Sequence, residues 1–254
     1  MKKTLALKLI AISVLLAGSP QQITAQEFST DPDWKVSIYL WTLGLEGDVG
    51  IGPINAGIDL SFSDILDVAN YGGSVILRRD WGRNVLVADL TYFSLSPDDV
   101  TTPFGGRITT DLNMPFLQFY YGRKTMIKGG HAGWLVGARY MELDLTLGLT
   151  PNVPPDIAFI RSEDPDFTDF MVGAFYQRSI NENWIINLQG DIGAGGSDST
   201  WNLQLGFQRR LKSGNLVTVG ARVLNVEFDD RLSSGELFTM DARMSGLMLA
   251  FTWD

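Results

Sequence analysis

Apolar and polar residues alternate with a period of two along most of the chain after Gln26. Between Trp201 and Gln208, one face reads Trp, Leu, Leu, Phe and the other reads Asn, Gln, Gly, Gln. This alternation predicts β-strands, because successive side chains of a strand point to opposite faces. The polar faces carry Asn, Gln, Thr, Gly, Asp and Arg rather than the Lys and Glu of a solvated sheet. We therefore predict an all-β fold, a closed antiparallel up-and-down transmembrane β-barrel with its apolar faces toward lipid.

Turn chemistry divides the connections between strands into two kinds. Tight hairpin sequences occupy 80–83, 180–183 and 212–215, and a slightly longer turn spans 127–133. They alternate with longer, acidic connections, and bacterial barrels likewise alternate short periplasmic turns with long external loops. The pattern predicts about ten strands, with eight or twelve as alternatives. The predicted strands are 34–43, 72–79, 84–95, 108–123, 133–147, 167–179, 184–194, 200–211, 216–229 and 237–253.

The segment 44–69 admits more than one interpretation. Leu45–Gly50 and Ile54–Phe62 alternate and could form an extra hairpin above the membrane. Ser61 and Asp64 have capping-box spacing at the start of a short predicted helix that runs to Asp67. This helix could cap the loop or fold into the lumen as a constriction, and the sequence leaves both open.

The first 25 residues have the form of an export signal. A basic start at Met1–Lys3 precedes an apolar stretch, Leu9–Ala17, that is too short to span a bilayer, and Ile23–Ala25 offers a cleavage site. We therefore predict a signal peptide at 1–25, a barrel domain at 26–254 and a location in the cell outer membrane. Cleavage removes three lysines and no acid, so the mature chain is more acidic than the full chain at −9. That sign disfavours nucleic acid as a partner.

The composition leaves little room for catalysis. Cysteine is absent, which excludes disulfides and thiolate chemistry, and the chain has a single histidine. His131 lies in the turn at 127–133, at the predicted periplasmic end, and we expect it to be a solvated turn residue. We predict no enzymatic activity, no catalytic residue, no cofactor-binding residue and no metal site.

Charges of both signs fall on the predicted lumen-facing positions. In a narrow barrel, such a set is most simply a network of salt bridges and hydrogen bonds that fills the interior, because unpaired charge there is costly. The alternative is a pathway for ions or small solutes. In the last strand, the polar residues before Gly246 and the apolar residues from Leu247 onward both occupy odd-numbered positions, which would lie on the same face of a regular strand. We therefore expect a β-bulge at Gly246 that moves the later residues to the other face. The candidate network is Asp89, Arg139, Asp169, Asp191, Arg222, Asp241 and Arg243.

Acidic residues concentrate at the predicted external ends of the strands. Glu46, Asp48, Glu227 and Asp229 are examples, and such a rim raises the local concentration of cations. Divalent cations are therefore candidate partners at the rim, although no ordered coordination pattern is present. Other expected partners are outer-membrane lipid, lipopolysaccharide and the barrel-assembly machinery, which would read the C-terminal strand. The oligomeric state stays open.

Five segments together resemble a known group of proteins. They are Tyr39–Trp41, Asp59–Asp67, Trp184–Phe207, Gly220–Arg222 and Val226–Asp230. These segments are similar to those of small Gram-negative outer-membrane β-barrel proteins, a porin-like and largely uncharacterised family. The resemblance implies the barrel fold but no substrate, cofactor or catalytic residue. One departure is the chain end, where Asp254 follows the aromatic residue that usually terminates such barrels.

Two functions follow from these patterns. We expect an integral outer-membrane barrel that acts either as a narrow porin-like channel for small solutes or as a structural, surface-exposed protein without enzymatic activity. The alternatives are an outer-membrane lipid-modifying enzyme and a soluble periplasmic ligand-binding β-barrel. All of these assignments depend on which face of each strand is turned outward.

Overall fold

The computed structural model describes residues 29, 31–52, 54–96, 100–101, 107–150, 159–232 and 234–253. The predicted signal peptide (1–25) and parts of four predicted external connections, at 53, 97–106, 151–158 and 233, lie outside the described residues, apart from 100–101. No helix in the described part of the chain is long and apolar enough to cross a membrane. The single helix there is α1 (Phe62–Val68), and the strands are β1 (Asp33–Trp41), β2 (Gly44–Ile51), β3 (Ile54–Leu60), β4 (Ala69–Trp81), β5 (Asn84–Leu95), β6 (Val100–Thr101), β7 (Arg107–Ile127), β8 (Gly130–Glu142), β9 (Asp144–Thr150), β10 (Phe159–Glu163), β11 (Asp166–Ser179), β12 (Trp184–Ala194), β13 (Ser199–Arg210), β14 (Leu216–Arg231) and β15 (Leu237–Trp253).

Ten of these strands form a closed antiparallel barrel. Their order is β1-β4-β5-β7-β8-β11-β12-β13-β14-β15, and β15 pairs back onto β1 with Val36 opposite Trp253. The predicted closed barrel of ten strands is confirmed. The predicted strand 133–147 is divided into β8 and β9. The break lies beside Pro115 of β7, which has no N–H to donate to its neighbour.

The extra hairpin in the segment 44–69 is present as β2 and β3. The C-terminal half of β15 pairs with β1, whereas its N-terminal half pairs with β2, with Phe238 opposite Ile51. The hairpin thus extends the barrel wall at the end that carries the long connections, which we call the long-loop end. The opposite end, which carries the tight turns at 82–83, 128–129, 180–183 and 212–214, is the short-turn end.

Helix α1 fills a gap in the wall between β3 and β4, which do not pair with each other in the described residues. Its predicted capping box is present: the Asp64 N–H donates to Ser61 Oγ, and the Ser61 N–H donates to Asp64 Oδ2 at 2.8 Å. Ile65 is 4% exposed and packs into the barrel interior, while Leu66 is 56% exposed. The helix therefore caps the wall with one side chain inside, and it is not a constriction folded into the lumen.

A belt of exposed apolar side chains surrounds the barrel. Phe170 is 79% exposed, and such a continuous apolar surface is found on proteins that contact lipid. The belt contradicts the alternative of a soluble barrel. Each of the ten barrel strands contributes to it, with Ile38, Val75, Leu90, Phe119, Val136, Phe170, Ile192, Leu203, Val219 and Leu249 as examples.

The lipid-facing pattern stops within β15. Leu247 and Leu249 are exposed apolar residues, but Asp241 and Arg243, on the same face, are exposed charged residues. The register is continuous through Gly246, which lies opposite Arg222. The predicted β-bulge at Gly246 is therefore wrong, and so is the prediction that Asp241 and Arg243 face the lumen. The strand instead leaves the lipid and enters water, so its outer face becomes polar without turning over.

The inner face of the wall also changes where the strands leave the lipid, but from polar to apolar. The buried residues of β15 near the long-loop end are apolar, and those of β14 are also apolar beyond Arg222. Above the lipid the barrel is therefore built like a soluble protein, with an apolar interior and a polar surface. The residues that show this are Leu224, Val226 and Phe228 on β14, and Phe238, Met240 and Met244 on β15.

Candidate functional site in the barrel lumen

The lumen is divided into three layers along the barrel axis. An apolar core occupies the long-loop end, a layer of buried charges lies in the middle, and a cavity lies at the short-turn end. Period-two alternation along each strand turns every second side chain into the lumen, and the residue type at those positions decides the character of each layer.

Arg222 of β14 forms one half of the charged layer. Its Nε donates to Asn202 Oδ1 at 3.0 Å, and its Nη1 donates to Tyr39 OH at 2.8 Å and to Asp89 Oδ2 at 3.2 Å. The guanidinium also lies 4.8 Å from the ring centre of Trp41, which is a cation–π distance. Arg222 is 0% exposed.

Arg139 of β8 forms the other half, and it is also 0% exposed. Its Nη1 donates to Thr200 Oγ1 at 2.7 Å, and its Nη2 donates to Gln118 Oε1 at 2.8 Å and forms an ion pair with Asp191. Asn202 then donates to Asp191 Oδ2 at 2.8 Å. Because Asn202 also accepts from the other arginine, both halves belong to one network that crosses the barrel.

Asp169 joins this network indirectly. Its carboxylate accepts hydrogen bonds from the backbone N–H groups of Gly196 and Ser197, from Ser197 Oγ and from Thr200 Oγ1. Thr200 Oγ1 is in turn the acceptor for Arg139. Asp169 therefore anchors the loop between β12 and β13 to the charged layer.

The structure brings five of the seven predicted lumen residues together: Asp89, Arg139, Asp169, Asp191 and Arg222. Sequence reasoning missed the neutral partners that complete the network. Each lies in the inward phase of its strand, so the alternation itself was the available signal, but polar neutral residues are common at such positions. The missed residues are Tyr39, Gln118, Tyr120, Thr200 and Asn202.

The apolar layer fills the lumen beyond the charged layer in the described part of the chain. Phe228 packs against Phe167 and Phe238, with ring centres 5.0 and 6.0 Å apart. Phe116 bridges the two layers, because its ring lies 5.2 Å from the guanidinium carbon of Arg222. The long-loop end of the barrel is therefore filled by packed side chains.

The cavity at the short-turn end has a volume of about 380 Å³. His131 lines it, and the prediction of a solvated turn residue is wrong. His131 belongs to β8 and points inward, and its ring packs edge-on against Phe175 at 5.9 Å. The tight turn that precedes β8 is only Lys128–Gly129, so the strand begins earlier than predicted.

The long-loop end of the barrel carries acidic residues on its outward face. Asp48, Asp241 and Glu227 lie side by side on three neighbouring strands. Nearby, slight desolvation together with the neighbouring carboxylate of Asp229 raises the pKa of the exposed Asp198 above its usual value of 3.8. In the described residues no group of three or more His, Cys, Asp or Glu side chains is arranged to hold a metal ion. Divalent cations at this rim stay a prediction.

The apolar belt, the closed ring of strands and the polar middle layer together define an outer-membrane β-barrel protein. No protein-family model matches the chain, and no curated protein matches it.

Several solved outer-membrane proteins are similar to it in structure. Ail, the attachment invasion locus protein of Yersinia pestis, solved with the heparin analogue sucrose octasulfate, has 9% sequence identity and a TM-score of 0.31, over 86% of this chain and 99% of that one. A FadL homologue of Pseudomonas aeruginosa has 9% identity and a TM-score of 0.31, over 87% and 89%. The outer membrane channel DcaP of Acinetobacter baumannii has 10% identity and a TM-score of 0.24, over 89% and 98%. Similarity at this level does not bear on what this chain binds or does.

Proposed function

We propose that this protein is a closed structural barrel of the outer membrane, which presents its polar long-loop end at the cell surface and has neither an open pore nor enzymatic activity. The observation that carries the proposal is the pair of fully buried arginines, Arg139 and Arg222, held by carboxylates across the middle of the lumen. A solute on the barrel axis would have to separate these ion pairs in a medium of low dielectric constant, which is costly.

The apolar layer adds a second barrier above the charges. A hydrated ion that passed the arginines would next meet the packed apolar rings of Phe167, Phe228 and Phe238. These two barriers in series favour the structural, surface-exposed function over the narrow channel.

The orientation in the membrane is supported by the ends of the barrel. Bacterial barrels keep short turns in the periplasm, and on this ground we assign the short-turn end to the periplasm. At that end Arg79 lies over the rings of Trp34 and Trp81 at 5.0 and 5.2 Å, and Arg209 lies 5.8 Å from Trp184. Arginines that extend along aromatic rings are typical of a membrane interface.

The location of His131 supports the absence of lipid chemistry. Its side chain lies inside the lumen at the short-turn end, separated by the barrel wall from the lipid-facing belt. A histidine acting on membrane lipid would have to reach the outer face of the wall.

Conductance in planar lipid bilayers tests the proposal. We expect no stable single-channel steps from the purified, refolded protein, because the lumen is blocked by two layers. A wide general porin in the same bilayer is the positive control, and a gel shift on boiling verifies that the sample is folded. Reproducible steps that scale with the amount of folded protein would show that the barrel conducts and would overturn the proposal.

A further inference from the structure

The cavity at the short-turn end has the features of a binding site that the closed-barrel function does not use. Its volume of about 380 Å³ falls within the range of small-molecule pockets, about 300–1,000 Å³. Part of this space exists because Gly206 and Gly220 face each other on the inner side of β13 and β14. A Cβ on Gly220 would come within 2.3 Å of the backbone oxygen of Leu205, so this position excludes any side chain.

One wall of the cavity carries a concentration of carboxamides on β12 and β13. Asn187, Gln189, Gln204 and Gln208 all line it. Two of their buried atoms, Asn187 Nδ2 and Gln208 Oε1, have no hydrogen-bonding partner among the residues that the structure describes. The two residues are diagonal neighbours, since Gln208 lies opposite Ile185, two positions before Asn187.

The carboxamides of the charged layer provide a contrast. Gln118 and Asn202 each donate one hydrogen bond to a carboxylate and accept at least one more. Buried polar groups are normally satisfied in this way. A buried donor and a buried acceptor left side by side on a cavity wall therefore suit a ligand that offers one acceptor and one donor.

The opposite wall and the rim have different chemistry. Ile76 of β4 and Val87 of β5 line the side that lies five strands away around the ring of ten. The rim carries two acidic side chains and four basic ones. Asp80 is bound by Arg78 Nε and Lys124 Nζ, each at 2.6 Å, and Asp33 Oδ2 lies 3.1 Å from Lys35 Nζ; the fourth basic residue is Arg210. The entrance therefore has an excess of positive charge.

We propose that this cavity binds a small N-acetylated amino sugar that carries a carboxylate. The acetamido N–H donates to Gln208 Oε1, and a carbonyl or hydroxyl oxygen of the sugar accepts from Asn187 Nδ2. The acetyl methyl group contacts the apolar wall, and the carboxylate lies at the basic rim. That the ligand comes from the periplasm rests on the orientation in the proposed function, whereas the binding chemistry does not.

The test is isothermal titration calorimetry of the folded, full-length barrel in detergent with N-acetylmuramic acid as the probe. We expect saturable binding of N-acetylmuramic acid, weaker binding of N-acetylglucosamine because it lacks the carboxylate, and no saturable binding of glucose or lactate. Absence of saturable heat with millimolar N-acetylmuramic acid would overturn the proposal. Binding of lactate as tight as that of N-acetylmuramic acid would also overturn it, because only the charged rim would then be acting.

Near-isosteric variants locate the site. Asn187→Leu and Gln208→Met should each weaken binding of N-acetylmuramic acid about tenfold, as expected for one lost hydrogen bond. The matched control is Asn225→Leu, on the outward face of β14 beyond the lipid belt. Equal weakening in the control, with all variants folded by the gel-shift criterion, would contradict the proposal. Conductance tests the closed lumen separately, so the two proposals can fail independently.

Discussion

At the scale of single residues, the two buried arginines hold opposite sides of the barrel together. Arg222 links β14 to Tyr39 of β1 and to Asp89 of β5, which are far apart in sequence. The buried Arg222 is held by three hydrogen-bond acceptors and by the rings of Trp41 and Phe116, although its Nη2 has no hydrogen-bond partner in the described residues. The buried carboxylate of Asp89 therefore depends on Arg222 as much as Arg222 depends on Asp89.

Replacing Arg222 with Met should lower the free energy of unfolding by about 3–5 kcal/mol, because Asp89 is left buried without its cation. Urea unfolding in phospholipid vesicles, followed by tryptophan fluorescence, measures the change. Arg209→Met is the control, since Arg209 is exposed on the outer face, and it should cost less than about 1 kcal/mol.

A double variant separates the ion pair from simple loss of packing. Adding Asp89→Leu to Arg222→Met should recover most of the lost stability, because a buried ion pair can often be replaced by apolar side chains. If the double variant is less stable than the single one, the loss does not come from the uncompensated carboxylate.

Prediction from sequence succeeded for residues whose burial depends only on which face of the strand they occupy. Asp89, Arg139, Asp169, Asp191 and Arg222 lie on inward positions within the lipid-spanning part of their strands, and all are buried. Phase alone could not predict which carboxylate pairs with which arginine, because partners come from strands that meet only when the barrel closes.

At the scale of elements, α1 shows how a short helix is stabilised by its context. Seven residues are too few for an independent helix, and α1 depends on its capping box and on one buried side chain, Ile65. Both features are local and visible in sequence. The gap between β3 and β4 that the helix fills is visible only in the assembled sheet.

Ile65→Ala should destabilise the barrel by about 2–5 kcal/mol, because it removes a side chain from the apolar layer at the long-loop end. Leu66→Ala is the matched control on the exposed side of the same helix, and it should change stability by no more than about 0.5 kcal/mol. The free energy of unfolding in urea measures both. Equal effects of the two variants would mean that α1 does not seal the interior.

The last strand shows why a face assignment cannot be read from polarity alone. On β15 the polar residues Asp241 and Arg243 and the apolar residues Leu247 and Leu249 all point outward. The alternation of side chains is continuous, but the medium outside the strand changes from water to lipid along its length. A β-bulge was therefore not needed to explain the pattern.

At the scale of the whole molecule, the barrel spans two solvents. Within the lipid its surface is apolar and its interior polar, and beyond the lipid the two are exchanged. On β15 the boundary lies between Ser245 and Leu247. The exchange gives the described part of the molecule an apolar core at the long-loop end, like the core of a soluble protein.

Arginine substitutions on β15 should locate this boundary. Leu249→Arg should cost about 2–4 kcal/mol in lipid vesicles, because a charge would face the acyl chains. Thr239→Arg, on the same face of the strand beyond the boundary, should change stability by no more than about 0.5 kcal/mol. Urea unfolding in vesicles measures both. A similar cost at the two positions would place the whole strand in one environment.

The sequence by itself determined the ten barrel strands, three of their four short turns, the apolar lipid-facing belt and the concentration of acidic residues at the long-loop end. Each of these depends on local alternation or local turn chemistry, which a single chain carries along its length. Only the tertiary structure decided that described side chains fill the middle and the long-loop end of the lumen, that Asp241 and Arg243 lie outside it, and that a cavity with carboxamide atoms lacking a described hydrogen-bond partner is left at one end. These features depend on side chains from distant strands meeting across the barrel, and on where the membrane surface cuts each strand.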